Sequence, residues 1–116
     1  MAKEYLEKLT ELFEQVDSKK IHGTNYEIKH FFSGAAVYAE GKICISLSPV
    51  GFAIKLPEVL RIELLKENGA KPLRYFAKSP VKKEYVVLPK TIINNLRALR
   101  YWVKISIKYA IALPKT

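Results

Sequence analysis

The chain has a single cysteine, Cys44, so no disulfide can close within it, and that scarcity fits a reducing compartment, the cytoplasm. No apolar run approaches the roughly 18 residues of a membrane span. Residues 1–4, Met-Ala-Lys-Glu, open an amphipathic helix and not a signal peptide, so no membrane partner is expected. The two histidines, His22 and His30, with Cys44 supply three ligand types at most. Their spacing is not that of a zinc site, so no metal is expected. Gln15 is the only glutamine against many Lys, Ile and Tyr, a bias associated with thermophile proteins.

Catalytic machinery is also missing. Glu58, Glu63 and Glu67 alternate with Arg61 and Lys66, which reads as a solvated helix face. Cys44 stands between Ile43 and Ile45, the setting of a packed strand cysteine and not of an activated thiol. Ser33-Gly34 leads into a strand, so it is no phosphate-cradling loop at a helix start. No carboxylate pair, triad or cofactor motif emerges, and the expectation is a protein without cofactor and without enzymatic activity.

The last absence is acid in the C-terminal third. Residues 71–116 hold eleven Lys and Arg against one acid, Glu84, whereas residues 1–17 hold two bases and five acids. The net charge of +9 therefore belongs to the end of the chain. Such an excess attracts phosphate polymers or an acidic protein partner.

What is present suits one folded domain over residues 1–116, with 49% hydrophobic and 27% charged residues. Tyr5, Leu6, Leu9, Leu12, Phe13 and Val16 form one stripe at the helical period, predicting a helix over residues 3–17. From Tyr26 to Leu56 the period becomes two. Ile43, Ile45 and Leu47 alternate with Lys42, Cys44 and Ser46, and Glu40-Gly41 and residues 48–51 read as turns. Three antiparallel strands are predicted there, with residues 26–32 as a lead-in or an extra edge. Alternation places Cys44 and Ser46, with Tyr38, on the side away from the main core.

Pro57 and Glu58 start a short helix that Asn68-Gly69 ends. Leu73–Lys78 and Glu84–Leu88 read as a second hairpin, and Pro89 starts the last helix. Residues 101–112 also alternate as a strand would, but the helical stripe runs from Ile92 to Ile111, which favours one long helix. The predicted order is α-β-β-β-α-β-β-α, an α+β fold of two layers with an antiparallel sheet and helices.

That order and its residues resemble the N-terminal domain of the TfoX/Sxy family. The resemblance is carried by Phe32-Ser33-Gly34, by Val37-Tyr38-Ala39-Glu40-Gly41-Lys42, and by Phe52-Ala53-Ile54-Lys55-Leu56. Gly69-Ala70-Lys71-Pro72-Leu73-Arg74-Tyr75, Tyr85-Val86-Val87-Leu88-Pro89 and Trp102 continue it, so that it covers residues 5–112. Ser33 departs from the family, which usually has a second Gly there. The family's competence regulators carry an additional C-terminal domain, for which 116 residues leave no room. The resemblance thus implies the fold and a stand-alone regulatory or interaction module.

Two surfaces are candidates. Tyr101, Ile105 and Tyr109, at i, i+4 and i+8, form a second apolar face on the last helix, and a helix apolar on two sides is covered on both. The expectation is self-association, a homodimer using those three residues. The alternative is nucleic-acid binding by Arg97, Arg100, Lys104 and Lys108 on one ridge, with Lys82 and Lys83 at a basic hairpin tip. A plain lysine-rich solubilising surface would give the same composition.

Overall fold

The structure is a computed structural model that describes residues 2–17, 25–31, 34–74 and 81–113. Helix α1 spans Ala2–Asp17 and buries Leu9, Phe13 and Val16, while Glu7, Lys8, Glu11 and Glu14 face solvent. Four strands follow: β1 (Tyr26–Phe31), β2 (Gly34–Ala39), β3 (Lys42–Ser48) and β4 (Gly51–Lys55). Helix α2 (Glu58–Leu65) leads to β5 (Lys71–Leu73) and β6 (Lys82–Val87), then to the single-turn α3 (Lys90–Ile93) and to α4 (Leu96–Ala112). The strands form one sheet in the order β1-β2-β3-β4-β6-β5, antiparallel throughout. The α+β class and the antiparallel sheet agree with the expectation.

Four details differ. Residues 26–31 are a full edge strand, which decides between the two readings of that segment. The strand expected at 73–78 lies earlier, at Lys71–Leu73, and residues 75–78 fall outside the described residues. The last helix is two helices. Asn95 takes an extended conformation and its Oδ1 accepts from the Ala98 amide at 3.2 Å, so a capping residue interrupts the apolar stripe between Ile93 and Leu96. The strand-like alternation of 101–112 is overridden, and those residues are helical.

The fourth difference concerns β3. Val37 faces Ile45 across the ladder, but Tyr38 faces Ile43, so Cys44 is the extra residue of a β-bulge. A bulge resets the alternation. Lys42 faces Ala39, two residues from Val37 and on the same, helix-covered side, and Cys44 joins the main core instead of the opposite face. Ser46 does lie on that opposite face, level with Ala36 and Ala53, where Ala53, Leu73 and Val87 make a second, smaller cluster.

The main core sits between the sheet and the helices. Val37, Ile45, Ile54 and Val86 form a cross-strand row over which α1, α4 and α2 deliver Leu9, Phe13, Leu99, Val103, Ile107 and Leu64. Each such side chain contributes roughly 1.5–3 kcal/mol by leaving water.

The start of β2 depends on a missing side chain. A Cβ at Gly34 would come 2.0 Å from the Leu47 carbonyl oxygen and 2.8 Å from the Ser48 Cα, both backbone atoms of the neighbouring strand. The next turn needs left-handed backbone, with Glu40 at φ 51° and Gly41 at φ 79°, but a Cβ at Gly41 meets nothing within 4 Å. Gly34→Ala is therefore expected to destabilise the fold by about 2–3 kcal/mol through forced strand separation. Gly41→Ala should cost only about 1 kcal/mol of backbone strain. Thermal denaturation of both variants measures the order, and equal losses would contradict the packing argument.

Candidate functional site

Helix α4 carries most of the residues singled out by composition, and three polar contacts fix its position. Ser106, fully buried, donates its hydroxyl to the Cys44 carbonyl at 3.0 Å, the carbonyl that the bulge exposes. At the helix end, the Lys42 ammonium donates to the Ile111 carbonyl at 3.1 Å and to that of Leu113. A cation at the last carbonyls complements the negative end of the helix dipole. Near its start, Arg100 reaches the end of α1, donating from Nε to the Val16 carbonyl at 3.1 Å and from a terminal nitrogen to that of Gln15 at 3.2 Å.

Arg100, a member of the predicted phosphate-binding ridge, thus serves two orphan carbonyls at the end of α1. Arg97 and Lys108 are exposed and Lys104 is half-buried; none has an ion-pair or hydrogen-bond partner among the described residues. Tyr101 stands between them, 59% exposed, with its ring edge-on to Trp102 at 5.3 Å between centroids. Arg97, Tyr101, Lys104 and Lys108 follow steps of four, three and four, a single ridge about 17 Å long. Lys82 and Lys83 open strand β6, and their side chains lie outside the described residues.

The expected second apolar face is narrower than the sequence suggests. Ile105 is half-buried against the main core and Tyr109 is half-buried, so Tyr101 alone projects fully. Exposed apolar side chains occur instead where a solvated helix face was expected, on α2, with Val59 at 70% and Ile62 at 54% exposure. Their spacing of three was present in the sequence, but the charged residues around them concealed it.

Charge is divided across the helix layer. The exposed Glu7, Glu11 and Glu14 line α1, and the basic ridge lines its neighbour α4. A cavity of about 140 Å³ opens between α2, α3 and α4, lined by Glu63, Leu64, Glu67, Ile92 and Trp102. Its lining has carboxylates and apolar side chains but no hydroxyl, thiol or imidazole. His30 is exposed on β1, and Cys44 is buried in β3, so these two candidate metal ligands are kept apart; His22 lies outside the described residues. Among the described residues no helix is long and apolar enough to cross a membrane.

Cys44 is fully buried, and burial pushes its thiol up from the ordinary value of 9.0 to about 12, although nearby Lys55 acts in the opposite direction. The thiol donates a hydrogen bond to the Val37 carbonyl at 3.4 Å. It is a core group and a poor nucleophile.

A six-stranded antiparallel sheet carrying a layer of helices defines an α+β domain. The family model of the TfoX N-terminal domain matches residues 13–110, from within α1 to within α4, and the chain belongs to that family. At the coarse level of the family, it is a regulatory, competence-type module. No curated protein and no solved structure matches it.

Two outcomes follow from this geometry. Arg100→Ala should lower stability by about 1–2 kcal/mol, because two helix-end carbonyls lose a charged donor, and denaturant unfolding reads the loss. Cys44 should resist alkylation in the folded protein at pH 8 and react at once in denaturant. The raised thiol value stabilises the fold fully below pH 9, and that contribution is lost as pH rises from 9 towards 12. Its slope there is at most about 1.4 kcal/mol per pH unit, against which Cys44→Ala measured over the same range is the control.

Proposed function

We propose that this domain is a non-enzymatic recognition module whose working surface is the outer ridge of α4, and that its partner is a nucleic acid. The observation that carries this reading is the exposure of Tyr101 between Arg97, Lys104 and Lys108, cations without partners among the described residues. Cations that can pair internally lose their attraction for outside anions; these keep theirs. An aromatic ring set among them offers a stacking platform for an unpaired base, and stacking needs no particular sequence. The ridge stands on a helix pinned at both ends and in the middle, so little order has to be gained on binding.

With three phosphate contacts the affinity depends moderately on salt. A slope of about −0.7 per contact for single strands and about −0.9 for duplex predicts a fall of about 20- to 40-fold between 50 and 200 mM salt. Fluorescence anisotropy with labelled oligonucleotides should show that fall, its loss in Lys104→Glu/Lys108→Glu, and weakening of about tenfold in Tyr101→Ala on single strands. Absence of binding to DNA and RNA at 50 mM salt rejects the reading.

A second reading rests on the same tyrosine: self-association with Tyr101 at the centre and Ile105 and Tyr109 at the margin of the contact. Tyr101→Glu is the clean probe for it, because Ile105→Glu would also disturb the core against which Ile105 packs. Loss of dimer mass in Tyr101→Glu supports this contact, and an unchanged mass rejects it.

A further inference from the structure

The sheet has two edges of different character. At one edge β5 is three residues long, contains Pro72 and is irregular in register, a form that resists further pairing. At the other edge β1 is six residues long and regular, with no further strand beyond it among the described residues.

The direction of its backbone groups can be read from the ladder. The Glu40 amide donates to the Asn25 carbonyl at 2.8 Å, so Asn25, and by alternation Glu27 and Lys29, turn their amides and carbonyls towards β2. Ile28 and His30 turn theirs outward. The Glu27 and Lys29 side chains lie on the face opposite the helices, 64% and 54% exposed, and meet each other at 3.5 Å; the Lys29 ammonium also stands 5.0 Å from the Tyr38 ring centre. Ile28, on the helix side, packs against the main core.

We propose that β1 is a self-complementary docking edge that pairs antiparallel with β1 of a second copy of this chain, centred on Ile28. In that register the outward backbone groups of the two Ile28 residues bond to each other. Glu27 of each copy comes directly opposite Lys29 of the other, on the same face, giving two cross-strand ion pairs. The competing registers are poor. A shift by two residues sets Glu27 against Glu27, or Lys29 against Lys29, and like charges opposite each other are destabilising. A shift by one residue opposes backbone groups that already point to β2 and turns the wrong face to the core side. The short sequence Glu-Ile-Lys thus selects one register and one two-fold axis. Joining the two six-stranded sheets edge to edge leaves both helix layers on the same side, so the two α4 ridges would face one partner together. The pairing itself is independent of what α4 binds.

Sedimentation velocity of the full chain tests the edge. The wild type should reach twice the chain mass. Lys29→Glu places four carboxylates around the axis and should raise the dimer dissociation constant at least about tenfold. Glu27→Lys/Lys29→Glu restores opposite charges in the same register and should restore the dimer. Hydrogen exchange on the wild type gives an independent readout: the Ile28 amide should slow with protein concentration, whereas the Glu27 amide, already bonded to β2, should not. A wild type that stays monomeric at high concentration overturns the proposal. So does a dimer insensitive to Lys29→Glu with unchanged Ile28 exchange; if that dimer is lost in Tyr101→Glu, the contact belongs to α4. Circular dichroism of each variant confirms that the fold is retained.

Discussion

The extra residue in β3 is the constraint on which the rest of the molecule depends. By inserting Cys44 into the ladder, the bulge brings Lys42 and Cys44 onto the helix side and leaves the Cys44 carbonyl to be claimed by Ser106. Lys42 then reaches the end of α4 and neutralises its terminal carbonyls. Without the bulge, strict alternation would turn Lys42 to the far face and leave α4 with neither its buried hydrogen bond nor its terminal cation. A local irregularity in a strand thereby sets the place of the helix that carries the basic ridge.

The same economy governs the charges. Two of the cations near the helix layer, Lys42 and Arg100, serve the ends of helices, and burial or proximity to carbonyls removes them from the surface field. On α4, Arg97, Lys104 and Lys108 have no partner among the described residues, and they share one ridge with Tyr101 because a helix returns side chains to the same side every three or four residues. The opposite pattern appears at β1, where a Glu and a Lys two residues apart pair with each other and leave the strand balanced in charge.

How much was legible in the sequence varied with the kind of signal. The stripe of α1 and the turns at Glu40-Gly41 and Ser48-Gly51 are local patterns, and they were readable because one element alone sets them. The two-helix end of the chain was readable in principle: Asn94-Asn95 before Leu96 is a capping signal, but the apolar stripe running past it drew attention away. The bulge was not readable. Ile-Cys-Ile-Ser-Leu alternates well enough to suit a regular strand, and only the partner strand reveals the extra residue. The contacts of Arg100 were hidden for a similar reason, since its partners on α1 lie 84 and 85 positions away.

The sequence by itself determined the class of fold, the family, the absence of disulfide and the concentration of positive charge in the last third. Those properties follow from composition, periodicity and the order of short motifs, which need no knowledge of distant contacts. Tertiary structure alone decided which strands lie at the edges of the described sheet, which face Cys44 occupies and which cations of α4 are bonded to carbonyls. Register, burial and helix-end contacts all join residues far apart in the chain, and a linear pattern carries no record of which pairs will meet.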